Sequence, residues 1–252
     1  MLILKDIINF LDDWAPSSLA AAWDNVGLQL GNANDNISSV LVSLELDLAT
    51  LTYLKRNHFD LLITHHPLFF KSFKALDYQS DMGKILEFCC KTKLALFSAH
   101  TNLDVAKGGV NDCLLRQYGF DPSDAKPVQD NFGAVLVTDY TLDHFKMVMP
   151  CRILGSQCDS KVVKKIAFCA GSGHGMVQFL PQHNIDVFVT GEVTYHDHVF
   201  CEFHDISVIT VGHYASEVFV VSEIARRLRK RFLNLTVQEI PLSHKNPECE
   251  IY

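Results

Sequence analysis

Apolar residues recur along this chain in two rhythms. Leu4, Ile7, Ile8, Leu11 and Trp14 keep the three-to-four spacing of one helix face, and Pro16 ends the run, so the first element predicted is an amphipathic helix. Val40-Leu41-Val42-Ser43-Leu44 is instead almost continuously apolar, the pattern of a strand buried on both faces. A helical stretch through Leu48, Leu51 and Leu54 leads to a second such run, Leu61-Leu62-Ile63-Thr64. A helix around Ile85-Leu86-Glu87-Phe88 leads to a third, Leu94-Ala95-Leu96-Phe97, and a helix from Val110 to about Tyr118 closes the first half. Strand, helix and strand in alternation give βαβ order and predict an α/β fold.

Gly119 to Pro127 reads as a loop, and the stretch through Pro150 and Gly155 is the least regular, which places a boundary between 120 and 160. The expected division is a first α/β domain over residues 1–125, joined by a C-terminal part of the chain, and a second over residues 126–252. In the second, Val163 to Ala170 is a strand running into Gly171-Ser172-Gly173-His174-Gly175. Free amides in such a turn can hold an anion. The turn lacks both the Lys-Ser/Thr of a P-loop and the GxGxxG spacing, however, and a tight packing turn accounts for it equally well.

The halves also echo each other. Phe59-Asp60-Leu61-Leu62-Ile63-Thr64 before His65-His66 resembles Ile185-Asp186-Val187-Phe188-Val189-Thr190 before Gly191-Glu192. Each is followed by a helical stretch and another apolar strand, the first ending at His100 with Asp104 four residues on, the second at His213 with Glu217 four residues on. This reads as two similar α/β domains, each a strand-helix-strand unit with polar residues at its strand ends. Chance likeness between buried strands is the competing account.

The strand-end residues carry the chemistry. Imidazole and carboxylate together suit zinc, iron, nickel, cobalt or manganese, without thiolate. Adjacent histidines point opposite ways on a strand. Where the strand ends that alternation relaxes, and Pro67 denies the chain a return to the ladder. His65 and His66 are then able to serve different ions of a pair, and Glu217, with two oxygens, is able to bridge them. A helix starting near Tyr214 or Ala215 would bring His213 and Glu217 to one mouth. With twelve histidines in the chain a single His-x-x-x-Glu means little; three such clusters at strand ends point to a metal site.

Composition narrows the partners. A chain of 252 residues, 48% hydrophobic, can bury one large core or two small ones. A net charge of -7 argues against a general nucleic-acid or membrane surface, and the run Arg226-Arg227-Leu228-Arg229-Lys230-Arg231 reads as the solvated face of a C-terminal helix. Eight cysteines without a Cys-x-x-Cys fit reduced thiols in the cytoplasm. Met1-Leu2-Ile3-Leu4, followed by Lys5 and Asp6, is too short for a signal peptide or membrane span.

Six strings carry a family resemblance, in this order: Trp23 to Gly31 (WDNVGLQLG), Thr64-His65-His66-Pro67-Leu68, His100-Thr101-Asn102-Leu103-Asp104, Gly171-Ser172-Gly173, Thr190-Gly191-Glu192 with Tyr195-His196, and Gly212-His213-Tyr214-Ala215-Ser216-Glu217. Together they resemble the NIF-three-like family, whose bacterial members are commonly labelled type 2 homologues of GTP cyclohydrolase I. The resemblance implies a duplicated two-domain α/β fold and a toroidal homohexamer. It also implies two divalent metal ions per chain, with His65, His66, Asp104, His213 and Glu217 as ligands and Glu217 as the bridge. His100 matches a histidine beside the site, where it would orient a ligand or handle a proton. Glu192 and His196 are further candidates for that layer, although each can instead satisfy a neighbouring backbone group. Asp24 and Asn25 read as capping or bracing a turn. The chain departs from the family's pattern at Phe132-Gly133, where other members carry a richer glycine motif, and it has no large inserted domain.

A paired-cation site of this kind points to hydrolysis of phosphate esters, amides or, by resemblance, a GTP-cyclohydrolase-like ring opening. No guanine pocket is visible in the residues themselves. The other class is a metal-binding protein without turnover, serving as a metal store or an interaction scaffold. A DNA-encircling ring ranks last because of the acidic charge.

Overall fold

In a computed structural model that describes residues 1–72, 74–128, 132–138, 141–148, 151–154, 162–173 and 175–240, apart from the side chains of residues 144 and 146, helices and strands alternate as the apolar rhythm predicts. In chain order they are α1 (Leu4–Trp14), β1 (Gly27–Leu30), β2 (Ser39–Ser43), α2 (Leu48–Arg56), β3 (Leu61–Thr64), α3 (Asp81–Thr92), β4 (Ala95–Ser98), α4 (Thr101–Val105), α5 (Val110–Gln117), β5 (Lys126–Val128), β6 (Gly133–Val137), α6 (Leu142–Val148), β7 (Arg152–Leu154), β8 (Lys165–Cys169), β9 (Val187–Thr190), α7 (Tyr195–Phe203), β10 (Ser207–Thr210), α8 (His213–Glu217), α9 (Phe219–Arg231) and β11 (Thr236–Glu239). Among the described residues no helix is long and apolar enough to cross a membrane.

Two compact units divide these elements. The first takes residues 1–106 and 220–240, the second residues 107–219. The first unit thus includes a C-terminal segment, and α5 belongs to the second.

The first unit holds a five-stranded sheet in the order β1-β4-β3-β2-β11. Strands β4, β3, β2 and β11 run parallel, and β1 is antiparallel on the β4 edge. Leu41, Leu62 and Leu96 lie fully buried in one core with Leu54, Phe59 and Leu94. Each such side chain contributes about 1.5–3 kcal/mol by leaving water. Helix α1 starts with the Ile3 amide donating to Asp6 Oδ2 at 3.1 Å and buries Leu4, Ile7 and Leu11.

The basic run on α9 does more than face solvent. Arg227 lays its guanidinium 4.0 Å over the Trp14 ring, Arg229 donates to the Val237 carbonyl and Glu239 in β11, and Glu223 takes hydrogen bonds from Arg226 and Arg227. These contacts tie α9 to α1 and to the edge strand, which explains why three arginines stand where any cation would serve a solvated face.

The second unit holds a six-stranded sheet, β5-β6-β8-β9-β10-β7. Its centre, β8-β9-β10, is parallel; β6 and β7 flank it antiparallel, and β5 pairs with β6. Both faces are covered, one by a cluster with Leu114, Tyr118, Phe145 and Phe168, the other by one with Phe188, Leu180 and Cys201. The segment read as a loop up to Pro127 contains β5. Pro127 is accommodated because β5 lies at the sheet edge.

The internal echo has a geometric counterpart in each unit. Asp60 Oδ2 accepts from the Ser38 and Ser39 amides at the start of β2, its amide donates to the Ser39 carbonyl, and its carbonyl accepts from Ala95. Asp186 does the same at the start of β8, accepting from the Lys164 and Lys165 amides, donating to the Lys165 carbonyl and receiving the Ser207 amide. One aspartate before the second strand of each repeat registers three strands at once.

Candidate metal centre

His65 and His66 leave β3 where the ladder stops. Both amides donate to the Leu44 carbonyl, at 3.0 and 2.8 Å, and Thr64 Oγ1 donates to the His66 carbonyl at 2.8 Å. This pinning turns the two rings to the same side, with centroids 5.0 Å apart. His65 is fully buried, with Nδ1 2.8 Å from the Ala99 carbonyl. A carbonyl only accepts, so Nδ1 carries the proton and Nε2 is the nitrogen the ring offers. Nε2 lies 3.6 Å from Asp104 Oδ1, and His66 Nδ1 lies 3.7 Å from Glu45 Oε2.

The His100 ring and the Asp104 carboxylate meet different partners. His100 precedes α4 with φ -112° and ψ -109°, and its Nδ1 meets Asp24 Oδ1 at 2.9 Å. Asp104 turns to His65 instead. The Asp24 side chain is fully buried; it also accepts from the Asn25 amide, the Thr101 amide and the Thr101 hydroxyl. Burial alone would raise its carboxyl, but the hydrogen bonds from His100 and Thr101 outweigh it and hold the carboxyl down at about 2. Asp24 therefore does brace a turn, as its sequence position suggests, and in addition orients His100, which that reading missed. Donor atoms of His65, His66 and His100 lie within 4.8 Å of one another.

In the second unit α8 begins at His213 itself, one or two residues earlier than expected. Four residues on, Glu217 brings Oε2 to 3.3 Å from His213 Nε2, while His213 Nδ1 lies 3.1 Å from Glu192 Oε1. Glu217 is buried with only 4% of its surface exposed. It fits because of the glycine turn: Gly171, at φ +69°, would place a Cβ 2.3 Å from Glu217 Oε1 and 3.5 Å from His213 Nε2. The Ser216 hydroxyl accepts the Gly171 amide at 2.9 Å, so packing against α8 explains this part of the turn. His174 lies outside the described residues. His196 is exposed on the first turn of α7 with its ring against Tyr195.

Each unit puts an imidazole nitrogen opposite a carboxylate oxygen with one partner buried, His65 in the first and Glu217 in the second. Nδ1 of His65 is committed as a donor, and Nδ1 of His213 faces a carboxylate, so in the neutral ring each Nε2 is an acceptor facing another acceptor. A shared cation relieves that opposition, and nitrogen with oxygen donors suits borderline divalent metals. The residues present therefore fit a metal.

Fold and site together define a duplicated α/β protein with histidine and carboxylate donors gathered at the ends of parallel strands. The chain belongs to the Duf34/NIF3 (NGG1p interacting factor 3) family, whose model matches residues 2–247. It is 30% identical over 240 residues to the "GTP cyclohydrolase 1 type 2 homolog" of Clostridium perfringens, covering 90% of this chain and 92% of that one. It is 32% identical over 231 residues to the "GTP cyclohydrolase 1 type 2" of Helicobacter pylori, covering 89% and 92%. Among solved structures, reduced HcgD from Methanocaldococcus jannaschii superposes with a TM-score of 0.84 at 26% identity, covering 96% of this chain and 98% of that one.

Proposed function

We propose that His65, His66, Asp104, His213 and Glu217 are the ligands of two divalent metal ions, with Glu217 as the bridge, and that the protein is a metal-dependent hydrolase. The observation that carries the reading is the approach of a strand-end histidine Nε2 to a carboxylate oxygen in each unit, His65 to Asp104 at 3.6 Å and His213 to Glu217 at 3.3 Å. When bound, paired divalent ions supply Lewis acidity and make water a nucleophile near neutral pH. The chain's own part is orientation and proton handling. Ala99 fixes the tautomer of His65, and Asp24 holds His100 so that its Nε2 is placed to take or return a proton. The Helicobacter pylori relative is named for GTP, which makes GTP the first substrate to try. The same reading takes the protein to be a cytoplasmic homohexamer.

Three imidazoles whose donor atoms gather within 4.8 Å serve metal storage or donation as readily as turnover, and this supports a non-catalytic metal-binding scaffold as the second reading. Formate release from GTP by metal-loaded protein separates the two. Metal-dependent release is expected, and full metal occupancy without turnover of GTP or of phosphate-ester and amide substrates would overturn the hydrolase reading.

A further inference from the structure

Trp23, Phe70 and His100 form a cluster of three aromatic rings, and His100 also belongs to the first unit's histidine set. Trp23 and Phe70 have centroids 5.6 Å apart at 60°, and each lies 6.0 Å from His100, at 72° and 68°. Trp23 is 62% exposed and Phe70 51% exposed. Two large rings are left partly in water, yet the backbone beneath them is fastened. Asn25 Nδ2 donates to the Phe69 carbonyl at 2.8 Å, and the Phe69 amide donates to Gln29 Oε1 at 3.0 Å. Gln29 Nε2 donates to the Asn25 carbonyl at 2.7 Å, and the Asp24 amide donates to the Ala21 carbonyl at 2.9 Å. The exposed rings are therefore held in position by hydrogen bonds on both sides rather than left on a loose loop.

The third ring gives the cluster a polar edge. Because Nδ1 of His100 faces the buried Asp24 carboxylate, the neutral ring offers Nε2 as an acceptor. Two exposed π-faces beside one acceptor match a planar ring that carries its own donor at the rim. Aliphatic or purely anionic ligands would use neither feature.

We propose that Trp23, Phe70 and His100 form a stacking subsite for a planar heteroaromatic ring bearing an N–H or NH2 group, adjacent to His65 and His66. The subsite deepens the hydrolase reading and rests on it for the claim that the ring belongs to the substrate. Stacking on Trp23 and Phe70 would fix the ring's plane, and His100 would select its edge.

The chain has two tryptophans, so Trp14→Phe leaves Trp23 as the only indole reporter. On protein of measured metal content, guanosine and adenosine are titrated against Trp23 fluorescence, with ribose 5-phosphate as the non-aromatic control. Equilibrium dialysis of the same nucleosides on the natural sequence and on Trp23→Ala and Phe70→Ala gives an independent reading. Saturable quenching by a nucleoside but not by ribose 5-phosphate is expected, with binding weakened about tenfold or more in Phe70→Ala and restored in Phe70→Tyr, at unchanged metal content. Absence of saturable nucleoside binding at full metal content would overturn the subsite and leave the metal centre standing. So would a Trp23→Ala or Phe70→Ala protein that sediments as a smaller assembly with nucleoside affinity unchanged, since that would assign the rings to contact with a second copy. Nucleoside binding by protein without specific metal would instead retain the stacking rings and overturn their tie to a metal-dependent substrate.

Discussion

His65 donates its Nδ1 proton to the carbonyl of Ala99 at 2.8 Å, and this bond decides which nitrogen the buried ring offers to Asp104. An asparagine at position 65 can keep a donor near Nδ1 while lacking Nε2. His65→Asn is expected to melt within a few degrees of the natural protein and to lose more than about 100-fold in metal affinity, since outer partners of a ligand alone are worth about 10–100-fold. Calorimetry with chelator competition measures both. Unchanged metal affinity would remove His65 from the ligand set.

Glu217 and Gly171 share one space. Glu217→Ala should release most of the bound metal with the fold intact, and full retention of metal would exclude it as the bridge. Gly171→Ala should reproduce the metal loss with an added stability cost of about 1–3 kcal/mol, because φ +69° strains a side chain there and the new Cβ meets Glu217 Oε1. Metal content and urea unfolding of the two variants test the pair.

Asp24 and His100 should separate from the ligands by their phenotype. His100→Ala and Asp24→Asn are expected to retain metal and to reduce metal-dependent turnover by about 100-fold or more. Metal loss as large as that in His65→Asn would place His100 among the ligands.

Asp60 predicts an acid dependence of stability. Burial tends to raise its carboxyl, but four hydrogen bonds from Ser38 and Ser39 lower it below the ordinary value. A depressed folded-state value stabilises the protein above the unfolded value, near about 3.9, and that contribution is lost as pH falls through the folded value. The stability advantage over Asp60→Asn should therefore be full at pH 6 and shrink below about pH 4 in urea titrations. A constant difference across that range would contradict the assignment.

The buried parallel strands were legible because double burial writes continuous apolar runs, as in β3 and β9. The edge strands were not. In β1, Gly27-Leu28-Gln29-Leu30 is only partly buried and bulged against β4, and β5 has Lys126 and Pro127 exposed at the sheet edge. The His65-His66 pair announced itself by position at a strand end. Asp24 could not, since 76 residues separate it from His100 and no periodicity selects one turn carboxylate among many. His100–Asp104 and His213–Glu217 have the same spacing yet different partners, because His213 is the first residue of its helix and His100 stands just outside. Spacing names candidates; the helix start decides which of them meet.

Metal content per chain of protein purified without added metal, measured for the natural sequence and for His65→Ala/His66→Ala, tests the central claim most directly. About two divalent ions per chain, absent from the variant, is the predicted result for a paired centre. The same metal content in both proteins, or no specific metal in either, would contradict it.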